Sequence, residues 1–435
     1  MSYKSVRPLA LVCAAQAVIG CGAGRSEAPP PSESAFTSVA PGGSGGGTTN
    51  GNEGDGEGDP GDAAGETVDY GALLELCAFA DAVPQIVAET FVSPDDTLAL
   101  SARDDGAMLS WVAFDAGQRT LSSLWFSDST PLPKQIKGEL AGDDSQPASA
   151  ITEAGFVSVW GQVDDSVTGL YTRMVSSDGQ AAAAPVRVTS DLAESPAPVV
   201  AEGADGRVLI VWLTGAERME LRAKLLDASG KSVASALPVA QPTDVLGKPA
   251  LAQLGDGYVL GWVERATRSV MLQRLDREGA PSAEPMRIDA DGDAEGRLSL
   301  ATTDVGGAIA FDVRVAGKRA EVRARPFDLS GQPSGVERVV TESHEQGLSP
   351  QIVPFRGGFV VAYRSDFDGA RALRLALLDE QTRRLDAEEV TMLNAFDLET
   401  QLAISPDGKS LHLAFTDEVA GSGAYELRRV SVECE

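Results

Sequence analysis

A short apolar segment ending in a large aromatic residue recurs seven times in this chain. The aromatics are Trp111, Trp160, Trp212, Trp262, Phe311, Tyr363 and Phe415, so successive spacings are 49, 52, 50, 49, 52 and 52 residues. The segments Gly155-Phe156-Val157-Ser158-Val159-Trp160, Val208-Leu209-Ile210-Val211-Trp212 and Gly358-Phe359-Val360-Val361-Ala362-Tyr363 are almost continuously apolar. Runs of that length and composition suit strands buried on both faces. A period this regular means that one supersecondary unit, unable to bury its own faces, is repeated side by side.

The fourth repeat shows the unit most plainly. Lys248-Pro249-Ala250-Leu251-Ala252-Gln253-Leu254 is an alternating strand with its proline at the start, where a missing N–H is tolerated. Gly255-Asp256-Gly257 reads as a hairpin turn into the apolar strand Tyr258–Val263. A loop, a third strand over Val270 to Leu275, the turn Asp276-Arg277-Glu278-Gly279 and an outer strand around Met286 complete the repeat. The third turn recurs as Asp227-Ala228-Ser229-Gly230 and Asp328-Leu329-Ser330-Gly331, which marks these aspartates as turn formers rather than catalytic groups. Four antiparallel strands, A to D, repeated at this period predict an all-β, seven-bladed β-propeller over residues 67–435.

The beginning of the chain has another character. Lys4 and Arg7 precede an apolar stretch from Leu9 to Ile19 that is too short to span a bilayer, so residues 1–20 read as a secretory signal. The stretch ends Val18-Ile19-Gly20-Cys21, which resembles the lipobox of bacterial lipoproteins. That resemblance implies cleavage before Cys21, acylation of its thiol and new amine, and a lipid anchor in the cell envelope. Gly22 stands where inner-membrane retention would resemble Asp, which favours the outer membrane. Residues 21–66 are Gly, Pro, Ser and acidic, a disordered linker that as a flexible coil would span on the order of 35–40 Å.

The last repeat ends after its third strand, near Val432, and lacks an outer strand. Residues 83–90 have outer-strand character, and Ile86 precedes Trp111 by 25 residues, close to the 23 between Ile288 and Phe311. They are expected to supply strand D of the last blade and close the ring, removing two exposed sheet edges. With Cys13 in the signal and Cys21 lipidated, only Cys77 and Cys434 remain, and both map by spacing to the C–D turn of that blade. A disulfide between them is expected, in keeping with an oxidising compartment. A short amphipathic helix over residues 70–80 is an alternative that leaves this bridge possible.

The chain carries 64 acidic and 36 basic residues, a formal charge of −28, which argues against nucleic acid as a partner. Only His344 and His412 are available for histidine chemistry, the first in a loop and the second inside a strand. The densest acidic cluster, Asp289, Asp291, Asp293 and Glu295, resembles a calcium loop, since alternate carboxylates can converge on Ca²⁺. It departs from the EF-hand pattern at Ala294 and Leu300, and a solvated acidic turn is the competing reading. The loops between strands B and C are of mixed charge. Arg314, Lys318 and Arg319 stand out as a basic group that is either a recognition feature or incidental.

These features lead to a lipid-anchored extracytoplasmic binding or scaffolding module for a protein or glycan, with no catalytic residues or cofactor assigned beyond the Ca²⁺ loop. The alternatives are a propeller hydrolase or lyase working through carboxylates, and a structural subunit of an envelope complex.

Overall fold

The computed structural model describes Cys77, residues 83–88 and most of residues 98–434, its breaks falling between strands. The described residues contain strands and no helix. They form seven four-stranded antiparallel sheets, the blades of a β-propeller, within the unit Glu66–Glu435. Six blades take their strands in chain order. The seventh is built from Thr400–Ile404, Ser410–Glu418, Tyr425–Glu433 and the N-terminal Gln85–Ala88 as strands A to D. Gln85 pairs with Arg429 and Ile86 with Arg428, so the expected outer strand is present, with a bulge before Ala88.

The repeated aromatics hold the blades to one another. Trp212 packs with Val157, Val159 and Leu170 of the preceding blade, and Trp262 with Leu209, Val211 and Ala223. Phe311, Tyr363 and Phe415 repeat the arrangement against blades 4, 5 and 6. Trp160 meets Leu121 of blade 1, and Trp111 meets Ala414 and Leu427 of blade 7, which completes the circle. Burying such rings is worth several kcal/mol apiece, so the fifty-residue period is a period of inter-blade contacts.

The C–D turns show why Asp and Gly recur there. One Asp227 oxygen accepts from the N–H groups of Ser229 and Lys231, at 2.9 and 3.0 Å. Asp276 and Asp328 repeat this pattern, and Gly230, Gly279 and Gly331 occupy the left-handed position at φ +80°, +83° and +79°. After each turn the chain makes one more bridge, Leu226 with Ser232, Leu275 with Pro281 and Phe327 with Pro333. In blade 7 the bridge at this place is Cys77 with Cys434, and a disulfide joins the two.

Cys434 therefore stands at the end of strand C, where Leu226, Leu275 and Phe327 stand in other blades, rather than within the turn itself. Every other blade is continuous from C to D. Here the first and last strands of the propeller meet, and the bond across 357 residues takes the place of the turn. Both cysteines are 4% exposed and pack with Phe355, Leu411 and Val432.

Cys21 and the segments read from sequence as a leader (1–20) and a linker (21–66) lie outside the described residues, as do residues 70–80 apart from Cys77.

Replacing Cys77 by serine should lower unfolding stability by about 3–5 kcal/mol, measured by denaturant titration with and without reductant. Reduction should bring wild type to the level of the variant and leave the variant unchanged.

Candidate functional site

Strand A of each blade is the innermost, and together these strands wall a central channel. Near one end the channel opens into a cavity of about 300 Å³ to which all seven A strands contribute. One register position explains most of the wall. The strand-A residue paired with the residue just before the strand-B aromatic lines the cavity in every blade. In blades 1 to 4 it is Ala99, Ala148, Val199 and Ala250; in blades 5 to 7 it is Ser299, Gln351 and Gln401. One arc of the girdle is apolar and the other is hydroxyl and amide.

Two residues earlier in the same strands, Lys248, Arg297, Ser349 and Glu399 line the wall. Lys248 donates to the carbonyl of Pro147, at 3.0 Å. The Glu399 carboxylate accepts from the Leu98 N–H of blade 1 at 2.9 Å and from the Gln401 amide at 2.8 Å.

The A strands enter the channel with a kink. Pairing slips between Leu246 and Ala250, between Ala294 and Leu298, and between Leu348 and Gln351. Pro147, Pro198, Pro249 and Pro350 immediately precede the girdle residues of their blades, at an edge where no ladder N–H is needed. Gly247 and Gly296 lie in the two adjacent bulges of blades 4 and 5 with φ +73° and +100°. A Cβ on Gly247 would fall inside the van der Waals envelope of the Gly296 carbonyl, so glycine is required there both by φ and by space.

Buried charges anchor this wall. Asp312 is fully buried, and its carboxylate accepts from the N–H groups of Arg297, in its own blade, and Ser349, in the next, at 3.2 and 3.4 Å. Burial pushes its pKa up to about 6, against the opposing pull of the Arg297 charge. Arg364 is fully buried as well, and it donates to Thr400 Oγ1 at 3.0 Å and to the carbonyls of Ala395, Glu399 and Thr416 at 3.2, 2.6 and 2.6 Å. Both occupy the position after the strand-B aromatic, where blades 1 to 4 carry Val112, Gly161, Leu213 and Val263. From that position each reaches the A strand of the following blade.

The residues singled out from sequence are distributed differently. Asp289 lies outside the described residues. Asp293 and Glu295 open strand A of blade 5 (Asp293–Thr303) instead of forming a loop. Glu295 is bound by Arg314 at 2.9 Å, Asp291 and Asp293 are exposed, and no metal-binding group of acids converges among the described residues. Arg319 bonds the His344 carbonyl at 3.2 Å and faces Asp368 at 3.6 Å, so two of the three basic residues make ion pairs within their own rim. Lys318 lies outside the described residues. His412 is buried, its Nδ1 2.9 Å from the Ser431 hydroxyl and its ring edge-on to Phe126, while His344 is exposed at φ 82°.

At the opposite ends of the A strands, Arg103, Asp104, Glu153 and Glu202 border a second cavity of about 380 Å³. Arg103 donates to the Thr152 carbonyl at 2.6 Å, and Asp104 accepts the Asp407 N–H at 2.9 Å. Burial raises the Glu202 pKa, and the charge of Glu153 adds to that shift.

No family model matches the sequence, and no curated protein matches it. Among solved structures, the chain is similar to the polysaccharide lyase Uly1, with a TM-score of 0.52 and 10% identity over 79% of this chain and 91% of that one. It is also similar to an ulvan lyase of family PL25 bound to -[GlcA(1-4)Rha3S]-, with a TM-score of 0.54 and 10% identity over 81% and 96% of the two chains. A third likeness is to the β-propeller domain of the Trilobed protease from Pyrococcus furiosus, with a TM-score of 0.44 and 9% identity over 78% and 94%. At 10% identity the two likenesses with a TM-score above 0.5 show a shared fold alone.

Two outcomes test the wall. Gly247→Ala should destabilise the protein by at least about 1–2 kcal/mol in thermal or denaturant unfolding, because the left-handed backbone is retained and the clash is added. Asp312 binds its proton more tightly folded than unfolded. Its contribution to stability is therefore complete below its ordinary pKa of 3.8 and lost as pH rises through about 6. The stability advantage of wild type over Asp312→Asn should accordingly be largest at the acid end and shrink across that window.

Proposed function

We propose that this chain is a lipid-anchored, extracytoplasmic propeller that binds a ligand at the mouth of its central channel. The binding half of the reading is carried by the seven-strand cavity with its half-polar girdle. Such a concave site with a few convergent polar groups is the usual form of a small-ligand pocket. The structural cost of the wall supports the same reading, since three bulges and two buried charges hold polar residues at the channel. The anchor half is supported by the segment Val18 to Cys21 and the linker after it, which would tether the propeller at the bacterial outer membrane. The charge of −28 speaks against a polyanionic nucleic acid as the partner.

A second reading is a propeller lyase. It is favoured by one observation: both solved structures above that share the fold at a TM-score over 0.5 are polysaccharide lyases. Among the described residues the cavity wall contains neither tyrosine nor histidine, so a lyase here would draw its base from Lys248 or a carboxylate.

Cys21→Ser should move the protein from the membrane fraction to the soluble fraction of lysed cells; unchanged fractionation would remove the anchor from the account. Incubation with uronate-containing polysaccharides separates the two readings. Binding without new ultraviolet absorbance from an unsaturated uronate supports the module, and steady growth of that absorbance supports the lyase.

A further inference from the structure

The cavity of about 380 Å³ at the far ends of the A strands carries charge that the protein itself does not neutralise. The carboxylates of Asp104, Asp105, Glu153 and Glu202 border it, against the single guanidinium of Arg103. Arg103 is committed locally. Its Nε binds Asp105 at 3.2 Å, and its Nη1 donates to the carbonyls of Thr152 and Glu153 at 2.6 and 3.5 Å. Asp104 accepts the Asp407 N–H at 2.9 Å. Glu153 and Glu202 are left, and neither carboxylate has an ion-pair partner among the described residues. They also act on each other. Burial raises the Glu202 pKa and the Glu153 charge raises it further, against the pull of the Glu153 N–H and of Arg103.

A second observation falls at the same place. Thr152 borders the cavity and is fully buried, and its Oγ1 has no hydrogen-bond partner. A buried hydroxyl of this kind is destabilising and calls for a cause. In the strand Ala148–Thr152, the Thr152 side chain shares a face with Ala150, which packs on Val208 and Ile210 of blade 3. In the strand Val199–Glu202, Glu202 shares a face with Val200, which packs into the same cluster from the other side. The orphaned hydroxyl and the Glu202 carboxylate therefore belong to one seam, between blades 2 and 3, where it meets the cavity. Half-buried Ile151 and exposed Pro406 give the remaining wall an apolar part.

We infer that this cavity is a site for a primary alkylammonium group. The three N–H bonds of such a group match three acceptors, the carboxylates of Glu153 and Glu202 and the Thr152 Oγ1, and its alkyl chain would lie along Ile151 and Pro406. Among the described residues no three metal-ligating side chains converge, and a wall that is partly apolar suits an organic cation better than a metal ion. The ammonium could come from a free amine or from a lysine side chain of another protein. This site lies at the far end of the channel and stands independently of the one at its mouth.

Calorimetric titration of the purified protein at neutral pH with butylamine, tetramethylammonium and a capped glycine peptide containing one lysine tests the assignment. Butylammonium is expected to bind at least roughly tenfold more tightly than tetramethylammonium, which has the same charge and no N–H donor. Glu153→Gln and Glu202→Gln should each weaken butylammonium by roughly tenfold, the loss of one charge-assisted hydrogen bond. Glu388→Gln, the same change at an exposed position on the outer strand of blade 6, should leave it unaltered. Thr152→Val should also weaken butylammonium, while its melting midpoint stays at or above the wild-type value because the orphaned hydroxyl is gone. A purely structural threonine would do the reverse.

Binding of butylammonium alone would assign the site to free amines, and binding of the peptide would assign it to lysine side chains; either outcome supports the proposal. Equal affinity for tetramethylammonium, or equal losses in Glu388→Gln and Glu202→Gln, would reduce the binding to attraction by the overall charge of −28 and overturn the site. Failure of both butylamine and the peptide to bind would overturn it as well.

Discussion

Blade 7 joins the first and last strands of the propeller, and the closure of the ring depends on that join holding. A propeller has no single core. Each blade's aromatic packs on the blade before it, so the contacts form a closed series in which Trp111 of blade 1 leans on blade 7. An open blade 7 would expose the inner face of blade 1 and a free strand edge together. Two devices act against that. Strand D from the N-terminus pairs with strand C, and the Cys77–Cys434 bond stands where every other blade has a continuous turn. The strand alone is short, at four residues, which is why a covalent tie at its approach has physical purpose.

The ring is uniform in its packing and divided in its chemistry. Blades 1 to 4 carry small or apolar residues both after the strand-B aromatic and on the channel girdle. Blades 5 to 7 carry Asp312, Arg364 and Thr416 in the first position and Ser299, Gln351 and Gln401 in the second. The two changes belong together. A kinked A strand leaves backbone N–H and C=O groups without ladder partners, and buried groups of that kind must be paired. Asp312 supplies acceptors for two such N–H groups, and Arg364 supplies donors for three carbonyls. A side chain that meets this demand from within the wall frees the girdle residues to face the channel.

The repeat made the fold readable. Seven aromatics at a constant spacing gave the number of blades, the spacing of Ile86 from Trp111 identified the displaced outer strand, and the same spacing brought Cys77 and Cys434 together. These inferences succeed because blade packing is the same physical problem solved seven times, so each solution predicts the next. The calcium expectation shows the opposite case. Asp289, Asp291, Asp293 and Glu295 look alike as a local string. Strand pairing nevertheless carries Asp293 and Glu295 into blade 5, and Arg314 takes up Glu295. The polar arc was hidden for a related reason. Ser299, Gln351 and Gln401 are ordinary residues, unremarkable until the A strands are placed in register. Aligning the repeats on their aromatics, and asking which blades break the apolar pattern one residue later, would have exposed Asp312 and Arg364 before any coordinates.

The chemistry of the channel thus changes where the repeats stop resembling one another, and only a closed ring can hold its two arcs opposite each other. Hydrogen exchange measured by mass spectrometry on the oxidised and the reduced protein tests this dependence most directly. The account predicts that strands Gln85–Ala88 and Tyr425–Glu433 are as protected as the strands of blades 3 and 4 while the disulfide is intact. On reduction they should lose protection first, followed by strand A of blade 1. Rapid exchange of Gln85–Ala88 in the oxidised protein, with the rest of the ring protected, would contradict the account.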